Sequence, residues 1–502
     1  MNYRILFVVM VGVVIVMFLY LKKDEQKERT LEGNMENKIS FIKENGVNVI
    51  DYGVKGDGVT DDTEKFQFAI EDAIKKNKVL IVPAKTYLLS PLKYRDTTSK
   101  DWWCLNIPSN AEIYFESGSL LKLVEDPPRW TRVLVINEVS NVNLYGHIEV
   151  DGSADTVTNG NEHMAGIFIY DAQKIFIESA YSHDSFGDNI FVGGTEKNYS
   201  NNVKINYFKG HTAGRKNLVI HYVDNLHIGN AILDNSKGGE ETHWTGENSL
   251  DLEPDNFKGR KHFYQRIDYL STYGKGNDFT VGTKKKLADK WQLDIGNFNV
   301  ILMDGPSNGL LSYGITMKID RLFVNSTDAN DDASINLLYS ANWEVNEAYI
   351  MNGNSYAISA KTAKDEKPTL KIGKIFINSP NGKGLELWGA DASIDYLEAN
   401  TIQGNVLEMF STNNQLVTIQ NFISRNSGEE QIISISDYGF DPLLRIGHLF
   451  VTDNRVPKVE SIVNLYTQKA VDGIEINNIL NYDRLKVLSF GPSVTKKRLI
   501  SN

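Results

Sequence analysis

Residues Asp51 to Thr63 read DYGVKGDGVTDDT, and they carry the clearest indication of the fold in this chain. Three glycines punctuate an acidic turn, and apolar residues at helical spacing follow it. Asp61 or Asp62 is placed to cap this helix, with Glu64 three residues after Asp61, as in a capping box. The residues that repeat at helical spacing are Phe66, Ala69, Ile70, Ala73 and Ile74. The sequence therefore predicts a glycine turn that leads into a helix with one buried face.

A short apolar strand, VLIVP over 79–83, follows the helix, and a second turn occupies 84–87. Turn, capped helix, strand and second turn together resemble the N-terminal cap of the pectate lyase superfamily. In that family the helix closes the open end of a right-handed parallel β-helix, and most members act on polysaccharides. The resemblance implies an all-β solenoid with an N-terminal capping helix. Recognisable motifs cover about residues 47–256, and beyond them the resemblance rests on periodicity.

A second signal is a short apolar–polar–apolar pattern that returns through most of the chain. It begins at Val142, Ile175, Val203, Leu226, Ile319, Val345, Ile372, Ile394, Val417, Ile446 and Ile474. From Ile319 onward the steps are 26, 27, 22, 23, 29 and 28 residues. This spacing is typical of a β-solenoid coil of three short strands and three turns. A β-sandwich or a propeller is the alternative, but the Trp-Asp signature of propellers is absent.

These signals predict one β-helix domain over residues 46–502. Its cap spans 46–95, and its coils span about 103–256 and about 301–490. Between them we expect an inserted loop or hairpin over about 257–300, because the rhythm breaks there and three lysines occur at 284–286.

The first 21 residues differ in character from the rest of the chain. Leu6 to Leu21 is almost wholly apolar, with Arg4 before it and two lysines after it. No small-residue cleavage site and no lipoprotein cysteine is present, so this segment predicts an uncleaved membrane anchor. Residues 22–45 are charged and form a tether. Since β-helices of this family work outside the cytoplasm, we expect the solenoid at the cell surface, or secreted if the segment is cleaved.

Bulk composition excludes several classes of function. The 502 residues carry a net charge of −11 with a pI of about 5.4, which argues against binding nucleic acid. Cys104 is the one cysteine, so an intrachain disulfide and a cysteine zinc cluster are excluded, and we expect it to be a small buried residue. No cofactor is predicted. Calcium has no supporting motif, because the acidic stretch 328–332 lacks the glycine and distal glutamate of a calcium loop. The oligomeric state stays open, and a trimer like that of tailspike relatives is compatible with the sequence.

Four strands can be laid over one another in successive coils, at residues 166–170, 189–193, 217–221 and 249–253. Side chains at equivalent positions of stacked coils form columns along one face. One predicted outward column contains Phe168, Phe191, Val219 and Asp251, and the next contains Tyr170, Gly193, His221 and Glu253. We therefore expect a groove along this face that holds a linear polymer.

The densest run of ionisable residues falls on these coils. Asp251 and Glu253 share a face and lie roughly 6 to 7 Å apart along the strand, and Asp188 lies two coils away, at about 10 Å. Such carboxylates suit general acid and base work in glycoside hydrolysis. We predict Asp188, Asp251 and Glu253 as catalytic residues, with His183 or His211 assisting proton transfer.

A second group of residues is predicted to bind substrate. Arg215 and Lys216 suit a carboxylate or a phosphate on the polymer. Tyr170 supports a sugar ring, and Asp184 and His221 complete the group.

The segments 187–190, 214–217 and 250–256 are similar to a recurring signature of carbohydrate-active β-helix proteins. Only Gly210-His211 matches a polygalacturonase motif, and the catalytic strings of the calcium pectate lyases are absent. The resemblance implies an enzyme that degrades or modifies a polysaccharide, with hydrolysis as the leading reaction and a lyase or an epimerase as the alternative. The alternatives are a glycan-binding β-helix without catalysis, like a tailspike or an adhesin, and a scaffold in polysaccharide export.

Overall fold

The protein is described here by a computed structural model. It describes residues 40–93, 101–235, 248–253, 262–274, 279–281, 290–302, 310–326, 333–338, 341–353, 355–362, 367–379, 381–411, 414–428, 431–437, 443–453, 461–466, 474–481 and 485–490. Within these ranges the chain is an all-β, right-handed parallel solenoid, which confirms the solenoid part of the predicted fold class. Each strand pairs in parallel with the strands one coil before and one coil after it, apart from the antiparallel pair at 92–93 and 102–103.

Two long sheets run along the described part of the solenoid. The sixteen-stranded sheet contains Leu92–Lys93, Trp102–Asn106, Thr131–Asn137, Ala165–Tyr170, Asp188–Gly193, Lys216–Ile220, Asn248–Leu252, Phe279–Val281, Leu310–Tyr313, Ile335–Leu338, Tyr356–Lys361, Lys383–Trp388, Leu407–Ser411, Gln431–Asp437, Ser461–Leu465 and Lys486–Phe490. The eighteen-stranded sheet contains Val47–Asn48, Asp57–Asp61, Leu80–Val82, Thr86–Leu89, Glu112–Leu123, Ser140–Asp151, Gln173–Ser185, Ser200–Ala213, Val223–Asn235, Phe263–Gly274, Trp291–Leu302, Thr316–Ser326, Asn342–Met351, Thr369–Asn378, Asp391–Asn400, Leu416–Arg425, Leu443–Thr452 and Ile474–Asn481.

Helical structure lies mainly before the first coils. A short helix covers 40–45, and 3-10 turns cover Val49–Tyr52 and Ala154–Thr156. The longest helix, Thr63–Lys75, buries Phe66, Ala69, Ile70 and Ala73 against the first strands. Its role as a plug for the end of the solenoid stays a prediction.

The start of this helix differs from a capping box. Asp62 occupies the N-cap position, but its side chain makes no capping hydrogen bond. Its carboxylate instead accepts the backbone N–H groups of Lys55 and Gly56, at 2.7 and 2.8 Å, and is fully buried. Asp61 accepts the N–H and the hydroxyl of Thr63. The aspartates therefore tie the glycine turn to the helix, because the turn supplies competing amide donors.

The coil register agrees with the predicted repeat in most of the chain. Ile175 pairs with both Val142 and Val203, and Val203 pairs with Leu226. Further on, Ile394 pairs with Ile419 rather than Val417, and Ile446 pairs with Ile476 rather than Ile474. In a strand, residues two apart face the same side, so apolar spacing alone leaves two equivalent registers.

The insertion predicted over 257–300 is corrected in part. Phe263–Gly274 and Trp291–Leu302 pair residue by residue with each other and with the neighbouring coils. The apolar rhythm is weak there because the interior is built differently. Gln265 is fully buried and accepts a 2.7 Å hydrogen bond from Nε1 of the buried Trp291.

The core consists of columns of aliphatic side chains that repeat from coil to coil. Ile167, Ile190, Leu218 and Leu250 form one such column and are fully buried. Burial of each contributes about 1.5–3 kcal/mol. Cys104 is buried and forms no disulfide, as predicted.

The membrane anchor predicted over 1–21 and most of the tether over 22–45 lie outside the described residues. Among those that are described, none of the helices has both the length and the apolar character needed to cross a bilayer.

Candidate functional site

The four strands predicted to stack do so in the expected register. Phe168 pairs with Phe191, Phe191 with Val219, and Val219 with Asp251. The alternate residues point inward and are fully buried, as Ile167 and Ile169 are. The outward side chains of four coils therefore share one face of the sixteen-stranded sheet.

Arg215 joins two of the predicted carboxylates. Its Nη1 lies 3.1 Å from Oδ2 of Asp188, and its Nη2 donates to Oε1 of Glu253. The Asp188 side chain is only 3% exposed, whereas that of Glu253 is 27% exposed. Burial raises the pKa of Asp188 to about 7, although Arg215 opposes the shift. Asp188 therefore holds a proton at a pH where an ordinary aspartate is ionised.

Asp251, the third of the predicted carboxylates, interacts with Glu253. Burial, with the neighbouring charge of Glu253, raises the pKa of Asp251 to about 8, while Lys216, 3.4 Å away, opposes the shift. Burial also acts to raise the pKa of Glu253, but Arg215 and a hydrogen bond from Asp251 outweigh it and leave this pKa lowered. These opposite shifts favour a protonated Asp251 beside an ionised Glu253.

A cleft of about 370 Å³ opens above this charged centre. Its lining residues are Arg132, Glu162, His163, Ala165, Phe168, Tyr170, Asp188, Phe191, Arg215, His221 and Glu253. The cleft thus gathers five of the ten predicted site residues, namely Tyr170, Asp188, Arg215, His221 and Glu253. Asp251 and Lys216 do not line it.

Stacked rings form one side of the cleft. The Phe168 ring lies 5.5 Å from that of Tyr170 and 5.1 Å from that of Phe191, and both pairs are close to parallel. A Cβ atom on Gly193 would come within 2.5 Å of Cβ of His221 and 2.9 Å of the Phe191 ring. The glycine therefore leaves room for His221, whose Nδ1 donates to the Gly194 carbonyl at 2.8 Å.

Sequence reasoning missed the cationic residue at the other end of the cleft. The guanidinium of Arg132 lies 3.5 Å from the centroid of the Phe168 ring and pairs with Asp101 at 2.6 Å. Arg132 stands one coil before Ala165, which pairs with Asp188. Extending the stack of four strands by one coil toward the N-terminus would have found it.

His183, His211 and Asp184 do not join the cleft. They lie at the ends of strands of the eighteen-stranded sheet, where His183 pairs in register with His211. Nδ1 of His183 lies 2.8 Å from Asp184, and Nδ1 of His211 lies 3.1 Å from Asp234. Burial acts to lower the pKa of His183, but the surrounding carboxylates leave it raised. With Asp151, His183 and Asp184 are spaced so that they could hold a cation.

Comparison with known proteins agrees with this architecture. A family model described as "Rhamnogalacturonase A/epimerase, pectate lyase-like" matches residues 46–98. The SPbeta prophage-derived uncharacterized protein YomE of Bacillus subtilis is 29% identical over 143 residues, or 28% of this chain and 21% of that protein. A polygalacturonase of Persea americana is 32% identical over 111 residues, or 22% of each chain. The matched segments span about a fifth of the length of these relatives.

Among solved structures, the tailspike protein of E. coli bacteriophage HK620, in complex with a pentasaccharide, superposes with a TM-score of 0.50. The two sequences are 12% identical, and the alignment covers 88% of this chain and 81% of the tailspike chain. At this identity the similarity concerns the fold alone. The family match over residues 46–98 and the parallel β-solenoid fold both agree with the resemblance to the pectate lyase superfamily that the sequence showed. By identity the chain is distant from the polygalacturonases.

Proposed function

We propose that this protein binds a polysaccharide along the cleft and cleaves it by hydrolysis. The observation that carries the proposal is the bridge from Arg215 to Asp188 and Glu253, which places a protonated acid and an ionised carboxylate in one cleft. Inverting and retaining glycosidases both need such a pair. The names of the relatives, a polygalacturonase and a tailspike with a bound pentasaccharide, support a glycan as the ligand.

In the proposed reaction, Asp188 protonates the glycosidic oxygen as the bond to the anomeric carbon breaks. Glu253 takes a proton from the water that attacks this carbon, so one water is consumed and both carboxyl groups exchange protonation states. Asp251 is a positioning residue, since it does not line the cleft and its hydrogen bond with Glu253 lowers the pKa of that carboxyl group. Phe168, Tyr170 and Phe191 support sugar rings.

The test is turnover of polygalacturonate, alginate, hyaluronan and dextran, followed as new reducing ends and by mass spectrometry. Glu253→Gln and Asp188→Asn are each expected to lower kcat about 10²- to 10⁴-fold. The matched control is Glu475→Gln, which removes an exposed carboxylate that pairs with Arg445 on the other sheet. Full activity in the Glu253→Gln, Asp188→Asn double variant contradicts the assignment.

Glycan binding without cleavage is the second candidate function. It is favoured by the aromatic stack and by the pairing of both cleft carboxylates with Arg215, an arrangement that also suits hydroxyl recognition. Retention of a polymer with no change in its length identifies this case. New unsaturated ends or epimerised sugars would instead identify a lyase or an epimerase.

We also propose that residues 1–21 anchor the chain and that the solenoid faces outward at the cell surface. The support is the apolar run from Leu6 to Leu21 between basic residues. The full chain is expected in the membrane fraction after alkaline carbonate extraction, and a chain that starts at Lys22 in the soluble fraction. Recovery of both in the soluble fraction contradicts the anchor.

A further inference from the structure

The outward column that contains Asp251 continues along the same sheet. Strand register carries it through residues 280, 311, 336 and 359 to Glu386 and then Glu408. Five strand spacings separate Asp251 from Glu386, which is about 24 Å. A second polar cluster therefore lies on the same face as the cleft, further along the solenoid.

This second group, called here the distal cluster, consists of Tyr356, Ser359, Lys361, Lys383, Glu386 and Glu408. Glu386 and Glu408 are only 6% and 7% exposed, although they stand on an outward column. Ser359 Oγ donates to Glu386 at 2.6 Å, and Lys361 Nζ lies 3.1 Å from it. Tyr356 donates its hydroxyl to Glu408 at 2.5 Å, and Lys383 Nζ lies 3.6 Å from Glu408.

An aromatic pair adjoins the distal cluster in the next outward column. Trp388 stacks on Phe410 with 4.3 Å between ring centroids and 18° between their planes. The indole N–H of Trp388 donates to Oε1 of Glu386 at 2.9 Å, which fixes the ring beside the carboxylate. Both rings are half-buried. An aromatic platform edged by a few oriented polar groups is the usual composition of a ligand site.

The inner edge of the distal cluster has an unmet hydrogen-bonding group. Asn405 is 9% exposed and donates from its side-chain nitrogen to Glu408 at 2.8 Å. Its Oδ1 has no partner among the described residues.

We infer that the distal cluster and the Trp388–Phe410 pair form a second glycan subsite, which holds a remote part of the linear chain that fills the cleft. The inference rests on the proposed function for its ligand class. A sugar ring stacks on Trp388, and its hydroxyl groups reach Glu386, Lys361 and Lys383. The side chains of Lys361 and Lys383 are 44% and 42% exposed, so their ammonium groups are accessible. Only a glycan longer than about 24 Å engages both sites.

The experiment compares Trp388→Ala with wild type by affinity electrophoresis in polygalacturonate, alginate, hyaluronan and dextran. The matched control is Phe376→Ala, since Phe376 stacks on Tyr349 at 5.0 Å and 9° but on the eighteen-stranded sheet. We expect about tenfold weaker binding of the long polymer in Trp388→Ala, no change in Phe376→Ala, and unchanged turnover of oligomers shorter than the span between the sites. Wild-type affinity for the long polymer in Trp388→Ala overturns the inference.

Further variants separate this inference from the proposed function. Trp388→Phe keeps a stacking ring, so its affinity for the long polymer should lie between those of wild type and Trp388→Ala. If both variants keep the wild-type melting temperature and lose the same amount of affinity, a stacking role for Trp388 is contradicted. If Trp388→Ala binds the long polymer more weakly while Glu253→Gln keeps full turnover, the second subsite is supported and the catalytic proposal is rejected. Failure of wild type to bind any of the four polymers rejects both.

Discussion

The cleft and the distal cluster lie on the same face of one sheet but balance their charges differently. In the cleft region, the carboxyl groups of Asp188, Asp251 and Glu253 share the two cations of Arg215 and Lys216. In the distal cluster, Glu386 and Glu408 each have a lysine of their own. Burial raises the pKa of Asp188 to about 7 and that of Asp251 to about 8, and the neighbouring charge of Glu253 adds to both shifts. The carboxyl groups of the cleft region can therefore exchange protons near neutral pH, and the distal cluster offers hydrogen-bonded carboxylates and exposed lysines for binding.

The largest effect is expected from removing the shared cation. Arg215→Ala leaves two buried carboxyl groups without their partner, which should lower the free energy of unfolding by about 3–5 kcal/mol at pH 8 and abolish turnover. The loss should be smaller at pH 5, because Asp188 can then remain protonated. Urea denaturation at both pH values measures it. Arg445→Ala, which removes an exposed pair with Glu475, is the control and should change stability by less than about 0.5 kcal/mol.

The second prediction concerns the pH dependence of catalysis. Asp188 must be protonated and Glu253 ionised, so kcat should fall as the pH rises through about 7. On the acid side, kcat should fall only at a pH below the ordinary pKa range of a glutamate, because the pKa of Glu253 is lowered. A kcat profile on the best polymer checks both limbs. If the residual activity of Asp188→Asn shows the same fall in kcat at alkaline pH, this fall is caused by the titration of another group.

The third prediction is a pH-dependent difference in stability. The pKa of Asp251 is raised from 3.8 to about 8 by burial, so folding favours its protonated form. Its contribution to stability is complete below the unfolded-state pKa and is lost as the pH rises from about 4 to about 8. Asp251→Asn should therefore gain stability relative to wild type between pH 5 and pH 8.

Thermal melts of both proteins across this range give the difference directly. Asp57→Asn is the control, because hydrogen bonds from Thr60 and Val59 lower the pKa of Asp57 to about 2, so it stays ionised in both states above pH 5. The difference in melting temperature between Asp57→Asn and wild type should not change with pH. If the difference for Asp251→Asn is also independent of pH, the pKa of Asp251 lies in the ordinary range of an aspartate.

The smallest effect is expected in the balanced cluster. Lys383→Met removes the partner of Glu408, but Tyr356 and Asn405 still donate to this carboxylate. The lysine side chain is 42% exposed, so the free energy of unfolding should fall by only about 1 kcal/mol. Chemical denaturation checks the value. A loss as large as that of Arg215→Ala would remove the distinction between the two clusters.

Much of the fold was predictable because a solenoid repeats a local rule. Alternation of apolar residues marked the strands, and the register of the four stacked strands followed from it. The rule failed where it had two equivalent solutions, as at Val417 and Ile419, and where Gln265 and Trp291 replaced aliphatic residues in the interior. The first failure arises because a period of two specifies a face but not a partner. The second arises because a polar and an aromatic residue in the interior interrupt the aliphatic pattern.

The site was predictable to the extent that it follows the columns. Tyr170, Asp188, Arg215, His221 and Glu253 meet in the cleft as the stacked strands suggested. His183 and His211 were placed near them because they are close in sequence, but the chain bends between 183 and 188 and enters another sheet. Sequence distance carries no information about that change of face.

The parallel solenoid, its inward columns and its outward-facing residues follow from the amino-acid sequence, because each of these depends on local periodicity. Which charges touch depends on how the coils stack. The stacking pairs Arg215 with carboxylates 27 and 38 positions away, and it places Glu386 on the column of Asp251. Side-chain length, burial and the bends between sheets set these contacts, and they arise only once the coils are stacked.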